Sequence, residues 1–191
     1  KGNIESIYDT VEQLAHCNPD FISVTYGAGG NLADNSTCEI ASRIKKQYGI
    51  ESVAHLTCVN SSKEDVEEMI GRLAEADIED GEMKHDFHHA NELAIEVQRK
   101  CRDNLEILGA CYPEGHYESK SLDEDIQNLK YKIGAGVKVL ITQLFFDNQC
   151  FYEFVGKARM MGIKVPVSAG IMPIVNSRQI ERTVALSGAS L

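Results

Sequence analysis

The sequence predicts an α/β protein, more specifically an incomplete (β/α)8 barrel of the TIM type. Five short, almost continuously apolar runs recur along the chain, and amphipathic helical patterns separate them. Strands that are buried on both faces of a parallel sheet give unbroken apolar runs of this kind. Each run also ends in small, polar or glycine-rich residues. Because chemistry in parallel α/β proteins collects beyond the carboxyl ends of the strands, these endings are the candidate site.

Composition suits one domain (residues 1–191) and argues against several kinds of partner. Hydrophobic residues make up 43% of the chain, enough for a sizeable core. The net charge of −10 argues against a surface for nucleic acid or anionic membrane. The six cysteines show no CxxC or zinc-ligand spacing, so we expect a reduced, cytoplasmic chain. His85, His88 and His89 cluster on a helical stretch, but a solvated face is favoured over a metal site, and no metal is predicted.

The elements follow one another in a helix–strand alternation. Gly49 suits the end of the helix after the first strand, because glycine readily adopts the left-handed C-cap conformation. Ser121 and Glu124 form a capping box for a later helix. That helix has an apolar stripe of Leu122, Ile126, Leu129 and Ile133. The predicted strands are 21–27, 52–59, 105–112, 137–146 and 165–172, and the predicted helices are 4–16, 35–48, 62–73, 83–101, 121–133, 148–161 and 176–186.

The spacing of the strands indicates that three are missing. Strand starts at 21, 52, 105, 137 and 164 are 31, 53, 32 and 27 residues apart, so one interval is nearly double. A βα repeat requires a strand inside that interval, between residues 76 and 82. The leading helix has no strand before it, and the last helix has none after it. Adding one strand at each place gives eight, with strands 1, 4 and 8 absent, so we expect the molecule to contain further segments.

Three strand ends carry candidate site residues. The TYGAGG stretch that begins at Thr25 would let backbone amides approach an anion or a planar ligand, although such glycines are as often ordinary turn residues. His55 lies in an apolar run, where a hydrogen-bonded core histidine is the favoured interpretation. The YPEGH stretch, residues 112–116, brings an aromatic ring, a carboxylate and an imidazole to one strand exit, which favours a binding site.

Two further features point to ligand binding. Asp125, Asn128 and Lys132 lie within about 60° of one another on their helix. They could hold a phosphate and sugar hydroxyls, although a solvated helix flank is equally consistent with the spacing. Gln143 stands among apolar residues, where a buried amide needs partners for both its donors and its acceptor. We interpret it as a ligand-binding amide at the barrel mouth rather than as a satisfied core glutamine.

Six stretches together resemble the methylenetetrahydrofolate reductase family, in order and spacing over essentially the whole chain. They are VTYGAGG, HLTC, YPEGH, the NLKxK helix, ITQLFFD and AGIMP. The resemblance implies an FAD-containing oxidoreductase with a (β/α)8 barrel, acting in one-carbon metabolism and methionine biosynthesis. It would reduce 5,10-methylenetetrahydrofolate to 5-methyltetrahydrofolate. Electrons would pass from NADH or NADPH through the flavin by ping-pong hydride transfer.

The resemblance also implies roles for individual residues. Gln143 and Gln179 would contact the nicotinamide or folate substrate. Asp125, Asn128 and Lys132 would hold the ribose and pyrophosphate part of FAD. The other implied flavin contacts are Thr25, Tyr26, Ala28, His55, Ala90, Tyr112 and His116.

Parts of the family's pattern have no counterpart in this sequence. They are the general-acid glutamate of the opening strand, an Arg-Gly-Asp run that would fall between Ile78 and Asp80, and the eighth strand, which would lie beyond Leu191. These gaps coincide with the strands that the counting requires. We therefore expect an incomplete sequence rather than a degenerate enzyme. Tyr131, in addition, stands where some members carry a phosphate-facing arginine.

Two alternatives stay open on the sequence alone. If the molecule itself lacks the general-acid glutamate, it would be a flavin-binding or assembly subunit without catalysis. A pterin-binding barrel synthase with a phosphate pocket and no flavin is the other. The sequence also leaves open whether electrons come from NADH, NADPH or a partner protein, and whether the chain forms a homo-oligomer.

Overall fold

A computed structural model describes residues 4–25, 36–55, 71, 90–101, 105–187 and 190. The chain divides into two compact units, Lys1–Ala90 and Asn91–Leu191. Each unit contains a parallel sheet with helices between its strands, so the predicted α/β class is confirmed. The closed eight-stranded barrel and the single domain stay predictions. Within the described ranges, no helix combines the length and the hydrophobicity that crossing a membrane requires.

The first unit is built on two parallel strands. They pair in register from Phe21 opposite Glu51 to Val24 opposite Ala54. Its core is a cluster of buried residues from the two flanking helices, including Val11. The elements are α1 (Ile4–Ala15), β1 (Phe21–Val24), α2 (Ser36–Arg43), a π-helix (Ile44–Tyr48) and β2 (Glu51–Ala54).

The predicted helix 35–48 folds as two consecutive segments. Its α-helical part is α2, and its last five residues form the π-helix. Ile44, at the start of the π-helix, is 1% exposed and belongs to the core of this unit. Gly49 ends the helix as predicted, with a φ of 68° and an N–H that donates to the Lys45 carbonyl at 3.1 Å. Glycine adopts this left-handed conformation without the steric cost that a side chain brings.

The second unit contains a three-stranded parallel sheet in the order β3-β4-β5. Cys111 lies opposite Thr142, and Ile141 lies opposite Ser168. The chain therefore leaves all three strands at one edge of the sheet. The elements from residue 90 onward are α3 (Ala90–Cys101), β3 (Ile107–Cys111), α4 (Leu122–Gly134), β4 (Val137–Thr142), α5 (Asn148–Met160), β5 (Val167–Ser168) and α6 (Ser177–Ser187).

All five predicted strands are present, and each of them ends earlier than predicted. β4 and β5, whose predicted ends were residues 146 and 172, end at Thr142 and Ser168. The N–H of Gly170 donates to the Thr142 hydroxyl at 2.8 Å, so the chain after β5 is held by a side chain rather than by the ladder. The predicted helix 62–73 and the start of helix 83–101, with its three histidines, lie outside the described residues apart from Gly71, which is helical.

The core of the second unit lies between the sheet and helices α4 and α5. Ile126 and Leu129 from α4 are 0% exposed, as are Leu140 from β4 and Phe154 from α5. Leu122 and Ile133 pack against this cluster, so the whole predicted apolar stripe of α4 faces the core. Because the apolar stripe packs against the core, the rotation of α4 about its axis is fixed, and so are the positions of its polar residues.

The N-terminus of α4 is capped as the sequence predicts, with one change. Ser121 Oγ accepts a hydrogen bond from the Glu124 N–H at 3.2 Å. The Glu124 carboxylate accepts from the N–H of Lys120 at 2.6 Å, one residue before the N-cap that a capping box would use. We expect Ser121→Ala to lower the free energy of unfolding by about 1 kcal/mol, because the N–H of Glu124 then loses its hydrogen-bond acceptor. Chemical denaturation measures this, with the exposed Gln127→Ala on the same helix as the control. Equal stability of both variants would contradict the cap.

Candidate active site

The loop after β3 turns sharply and is held against the sheet edge. Pro113 is buried, and Gly115 has a φ of 87°, in the region where a side chain is strained. The Gly115 N–H donates to the Tyr112 carbonyl at 3.0 Å and closes the turn. The predicted YPEGH cluster is therefore an ordered turn that returns the chain towards the strand that it left.

Three aromatic rings follow one another along this loop. The centroids of Tyr112 and His116 are 4.6 Å apart with their planes at 72°, an edge-to-face contact. His116 and Tyr117 are also 4.6 Å apart, with a tilt of 36°. His116 Nδ1 accepts a hydrogen bond from the Glu118 N–H at 3.3 Å, which leaves Nε2 as the protonated nitrogen of the neutral ring. The ring orientation of His116 is thus fixed from two sides.

Asp125, in the first turn of α4, holds the same loop from below. Asp125 is buried, with 4% of its surface exposed. Oδ2 accepts the His116 N–H at 3.2 Å, and Oδ1 accepts the Ser119 hydroxyl at 3.4 Å. A carboxylate in the first turn also lies at the positive end of the helix dipole, which stabilises its charge.

Lys132 extends from the last turn of α4 to the end of β3. Its Nζ donates to the Ala110 carbonyl at 3.2 Å and lies 5.9 Å from the centroid of the Tyr112 ring. An ammonium group has three N–H donors, and the described residues supply a partner for one of them. Asn128, one turn earlier, is exposed, and its side-chain amide has no hydrogen-bond partner in the described part of the chain. Of the three polar residues on this side of α4, Asp125 is therefore buried, whereas Asn128 and Lys132 can reach a ligand.

Cys111, at the last position of β3, is buried beneath this cluster. It is 0% exposed. Burial raises the pKa of its thiol to about 12, an effect that the nearby Lys132 charge opposes and the Asp125 charge reinforces. The thiol therefore stays protonated at neutral pH. Because the thiolate is the nucleophile, we assign Cys111 to packing rather than to chemistry.

Gln143 is the first residue after β4, at the same edge of the sheet. Its N–H donates to the Cys111 carbonyl at 2.7 Å, which fixes its backbone beside the end of β3. The residue is half-buried, and within the described ranges no side chain or backbone group bonds to its amide. The donors and the acceptor of this amide therefore have no partner in the described part of the chain, and its role as a ligand-binding glutamine stays a prediction.

The loop that follows Gln143 is fixed by an aromatic pair. The rings of Phe145 and Phe151 are stacked, with centroids 5.1 Å apart and planes at 6°. Asp147 caps α5 by accepting the Gln149 N–H at 2.8 Å. The backbone that carries Gln143 is therefore held at both ends.

Gln179, in the first turn of α6, is engaged with the loop before it. Its Nε2 donates to the Pro173 carbonyl at 3.0 Å, and its Oε1 accepts the Val175 N–H at 3.0 Å. The N–H of Gln179 donates to Asn176 Oδ1 at 2.9 Å. The amide that was predicted to contact substrate holds residues 173–175 in the structure.

In the first unit, two predicted flavin contacts lie at the ends of neighbouring strands. Thr25 follows β1, and His55 follows β2, with its N–H donating to the Val24 carbonyl at 3.0 Å. His55 Nε2 is 2.5 Å from the Ser23 hydroxyl. Desolvation lowers the pKa of His55, although the residue as a whole is exposed. Within this unit it is thus a surface residue, and the favoured interpretation as a core histidine is wrong.

Comparison with known proteins gives the family. The model of the methylenetetrahydrofolate reductase family matches residues 1–191. The chain belongs to this family. It is 32% identical over 190 residues to the 5,10-methylenetetrahydrofolate reductase of Pectobacterium carotovorum, covering 96% of this chain and 63% of that protein. It is 32% identical over 200 residues to methylenetetrahydrofolate reductase (NADH) 1 of Arabidopsis thaliana, covering 92% and 34%.

The Escherichia coli 5,10-methylenetetrahydrofolate reductase gives a similar match, 31% over 189 residues, with 93% of this chain and 62% of that protein covered. The chain therefore spans between about a third and two thirds of the length of these members of the methylenetetrahydrofolate reductase family.

The second unit brings together most of the residues that the family resemblance assigned to it. Tyr112, His116, Asp125 and Lys132 surround the end of β3, and Gln143 lies beside it. Ala90 is the exposed first residue of α3. Tyr26 and Ala28 lie outside the described residues. Among the described residues, no group of three or more His, Cys, Asp or Glu side chains could hold a metal ion.

Some contacts within each unit were not predicted. Ser119 and Ser23 each bond a candidate residue, and Phe145 stacks on Phe151. No pattern in the sequence distinguishes Ser119 from the other serines of the chain. The FFDNQCF pattern, by contrast, places Phe145 and Phe151 on either side of the N-cap residue Asp147 and could have indicated the stacked pair.

Proposed function

We propose that this protein forms the FAD-binding and substrate-binding part of a methylenetetrahydrofolate reductase. It would reduce 5,10-methylenetetrahydrofolate to 5-methyltetrahydrofolate with electrons from NADH or NADPH. The proposal rests on family membership together with one observation: Tyr112, His116, Lys132 and Gln143 lie at one edge of a parallel sheet. Such an edge is where α/β proteins bind their ligands.

The residues at this edge fit the chemistry of FAD. Lys132 has N–H donors to spare for a phosphate oxygen, and Asn128 offers an exposed amide for sugar hydroxyls. Tyr112 and His116 add aromatic surface beside the lysine. Thr25 and His55, at the strand ends of the first unit, are the proposed flavin contacts there, together with Tyr26, Ala28 and Ala90.

Bound FAD would supply the chemistry of accepting a hydride from the nicotinamide and giving it to the folate. Gln143 would orient each substrate in turn, because its amide can both donate to and accept from a nicotinamide carboxamide or a pterin edge. Gln179 stays a proposed substrate contact. Its amide would have to exchange a bond to residues 173–175 to reach the substrate, so its first contribution is to hold that loop.

The finer architecture and cellular setting are proposals as well. We propose that the two parallel sheets belong to one (β/α)8 barrel, because all described strand pairs are parallel. We also propose that the protein acts in the cytoplasm.

The function can be tested on the purified protein by anaerobic spectroscopy. We expect a flavin spectrum that bleaches on addition of NADH or NADPH and returns when 5,10-methylenetetrahydrofolate is added. Formation of 5-methyltetrahydrofolate identifies the product. A flavin that binds but is neither reduced nor reoxidised would instead support a non-catalytic flavin-binding subunit. A colourless protein that does not take up added FAD would favour a pterin-binding synthase.

A further inference from the structure

Tyr117, in the loop after β3, is an aromatic residue to which neither the fold nor the family resemblance gives a role. It is 88% exposed, compared with 61% for Tyr131 and 63% for Tyr152. Single exposed aromatic residues are common on protein surfaces, so exposure alone gives Tyr117 no function. Its contacts and its position beside the candidate site are what distinguish it.

The Tyr117 side chain is held by two neighbours although it is exposed. Its ring centroid lies 4.6 Å from that of His116, with the planes tilted by 36°. Its hydroxyl donates to Glu118 Oε1 at 3.1 Å. This hydrogen bond raises the pKa of the phenol, so the ring stays uncharged at neutral pH. A ring that is already oriented loses less conformational entropy when a ligand packs against it.

A row of rings connects Tyr117 to the lysine that is proposed to bind phosphate. Lys132 Nζ lies 5.9 Å from the centroid of the Tyr112 ring. The centroids of Tyr112 and His116 are 4.6 Å apart, and so are those of His116 and Tyr117. Tyr112 and His116 are half-buried, so Tyr117 presents most of the open aromatic surface in this row. The second unit thus offers a cation and an exposed aromatic face that are separated by two rings.

The adenosine half of FAD has the chemistry that fits this arrangement. A single ribose separates its pyrophosphate from its adenine, and nucleic-acid bases stack well on aromatic side chains. The residues proposed for the ribose and the pyrophosphate, Asn128 and Lys132, belong to the second unit. The strand-end contacts proposed for the flavin, Thr25 and His55, belong to the first unit. The adenine is therefore the planar group of FAD that we expect near Tyr117.

We propose that the exposed face of the Tyr117 ring stacks on the adenine of bound FAD. Tyr117 thereby distinguishes FAD from flavins that lack adenine, such as FMN. The identity of the ligand as FAD rests on the proposed function, whereas the ability of the ring to bind an adenine nucleotide does not. Stacking requires the ring and not the hydroxyl, so removing each part of the side chain should give a different result.

The test measures the dissociation constants of FAD, FMN and ADP on the full chain after any bound flavin has been removed. Fluorescence titration serves for the two flavins, and calorimetry serves for ADP. In Tyr117→Ala, binding of FAD and of ADP should weaken about tenfold, because the adenine loses its aromatic partner, while FMN binding stays unchanged. Tyr117→Phe keeps the ring and should bind all three ligands as the wild type does. Tyr152→Ala is the matched control, because Tyr152 is an exposed tyrosine on α5 without a proposed ligand contact.

Three results would overturn the proposal. They are an unchanged FAD affinity in Tyr117→Ala, an equal loss of FMN affinity in that variant, and a Tyr117→Phe variant that binds FAD as weakly as Tyr117→Ala does. A wild-type protein that takes up no FAD would refute the proposed function instead, and ADP would then decide the role of Tyr117. Weaker ADP binding in Tyr117→Ala would support that role, whereas equal ADP binding, or a wild type that binds no ADP, would overturn it.

Discussion

Gln143→Ala is expected to lower kcat/KM for the folate substrate about 10- to 100-fold while the protein keeps its flavin. The backbone of Gln143 is fixed by the Cys111 carbonyl, so the substitution should leave the strand end in place. The side chain, by contrast, has no partner among the described residues, so its removal costs the fold little. The loss should therefore fall on the substrate that the amide would bind. Steady-state turnover, together with the flavin spectrum of the purified variant, measures both effects.

The control for Gln143 is Gln127→Ala, an exposed glutamine on α4 that no functional assignment involves. Gln143→Glu adds a sharper comparison, because it keeps the size and the acceptor but loses the N–H donors. A Gln143→Ala variant that turns over folate normally would refute the role of this residue. So would a variant that loses its flavin, since the amide would then serve the cofactor.

Lys132→Ala is expected to weaken FAD binding about 10- to 100-fold, the effect of losing about 1.5–3 kcal/mol from a hydrogen bond to a charged group. The ammonium group lies 5.9 Å from the centroid of the Tyr112 ring, and a phosphate is a good acceptor for it. Fluorescence titration of the apoprotein with FAD measures the dissociation constant. Raising the salt concentration should reduce the difference between wild type and variant.

Lys130→Ala is the matched control for Lys132, because it removes the same charge from the same helix about 200° around its axis. Lys132 also donates to the Ala110 carbonyl, so thermal unfolding should be measured on each variant to separate loss of the fold from loss of the ligand. Unchanged FAD affinity in Lys132→Ala, or an equal loss in Lys130→Ala, would contradict the assignment.

The predictable part of the fold is the part that periodicity controls. The apolar stripe of α4 predicted its buried face, because residues three and four apart share one side of a helix. Gly49 and Ser121 predicted helix ends, because left-handed φ values and side-chain caps are local properties. The strand ends were predicted less well. Where β4 and β5 stop depends on the bond between Gly170 and Thr142, which are 28 residues apart in sequence.

The candidate site likewise has a part that the sequence predicts and a part that it does not. Parallel strands bring their carboxyl ends to one edge, so the meeting of Tyr112 and Gln143 followed from the order of the elements. What each polar group bonds to did not follow. Spacing alone placed Asp125 and Lys132 on one face, but only packing decides that the first is buried under a loop and the second reaches a strand end. Gln179 likewise has the predicted position and an unforeseen set of partners.

Gly170 lies so close to β4 that few substitutions at codon 170 should be compatible with the fold. A methyl group at residue 170 would meet the carbonyl oxygen of Thr142, which belongs to the backbone and cannot rotate away. Every missense change from glycine adds at least that carbon. Codon 170 should therefore tolerate only synonymous variation, and an inherited replacement there should damage the protein by separating two strand ends rather than by altering a reacting group.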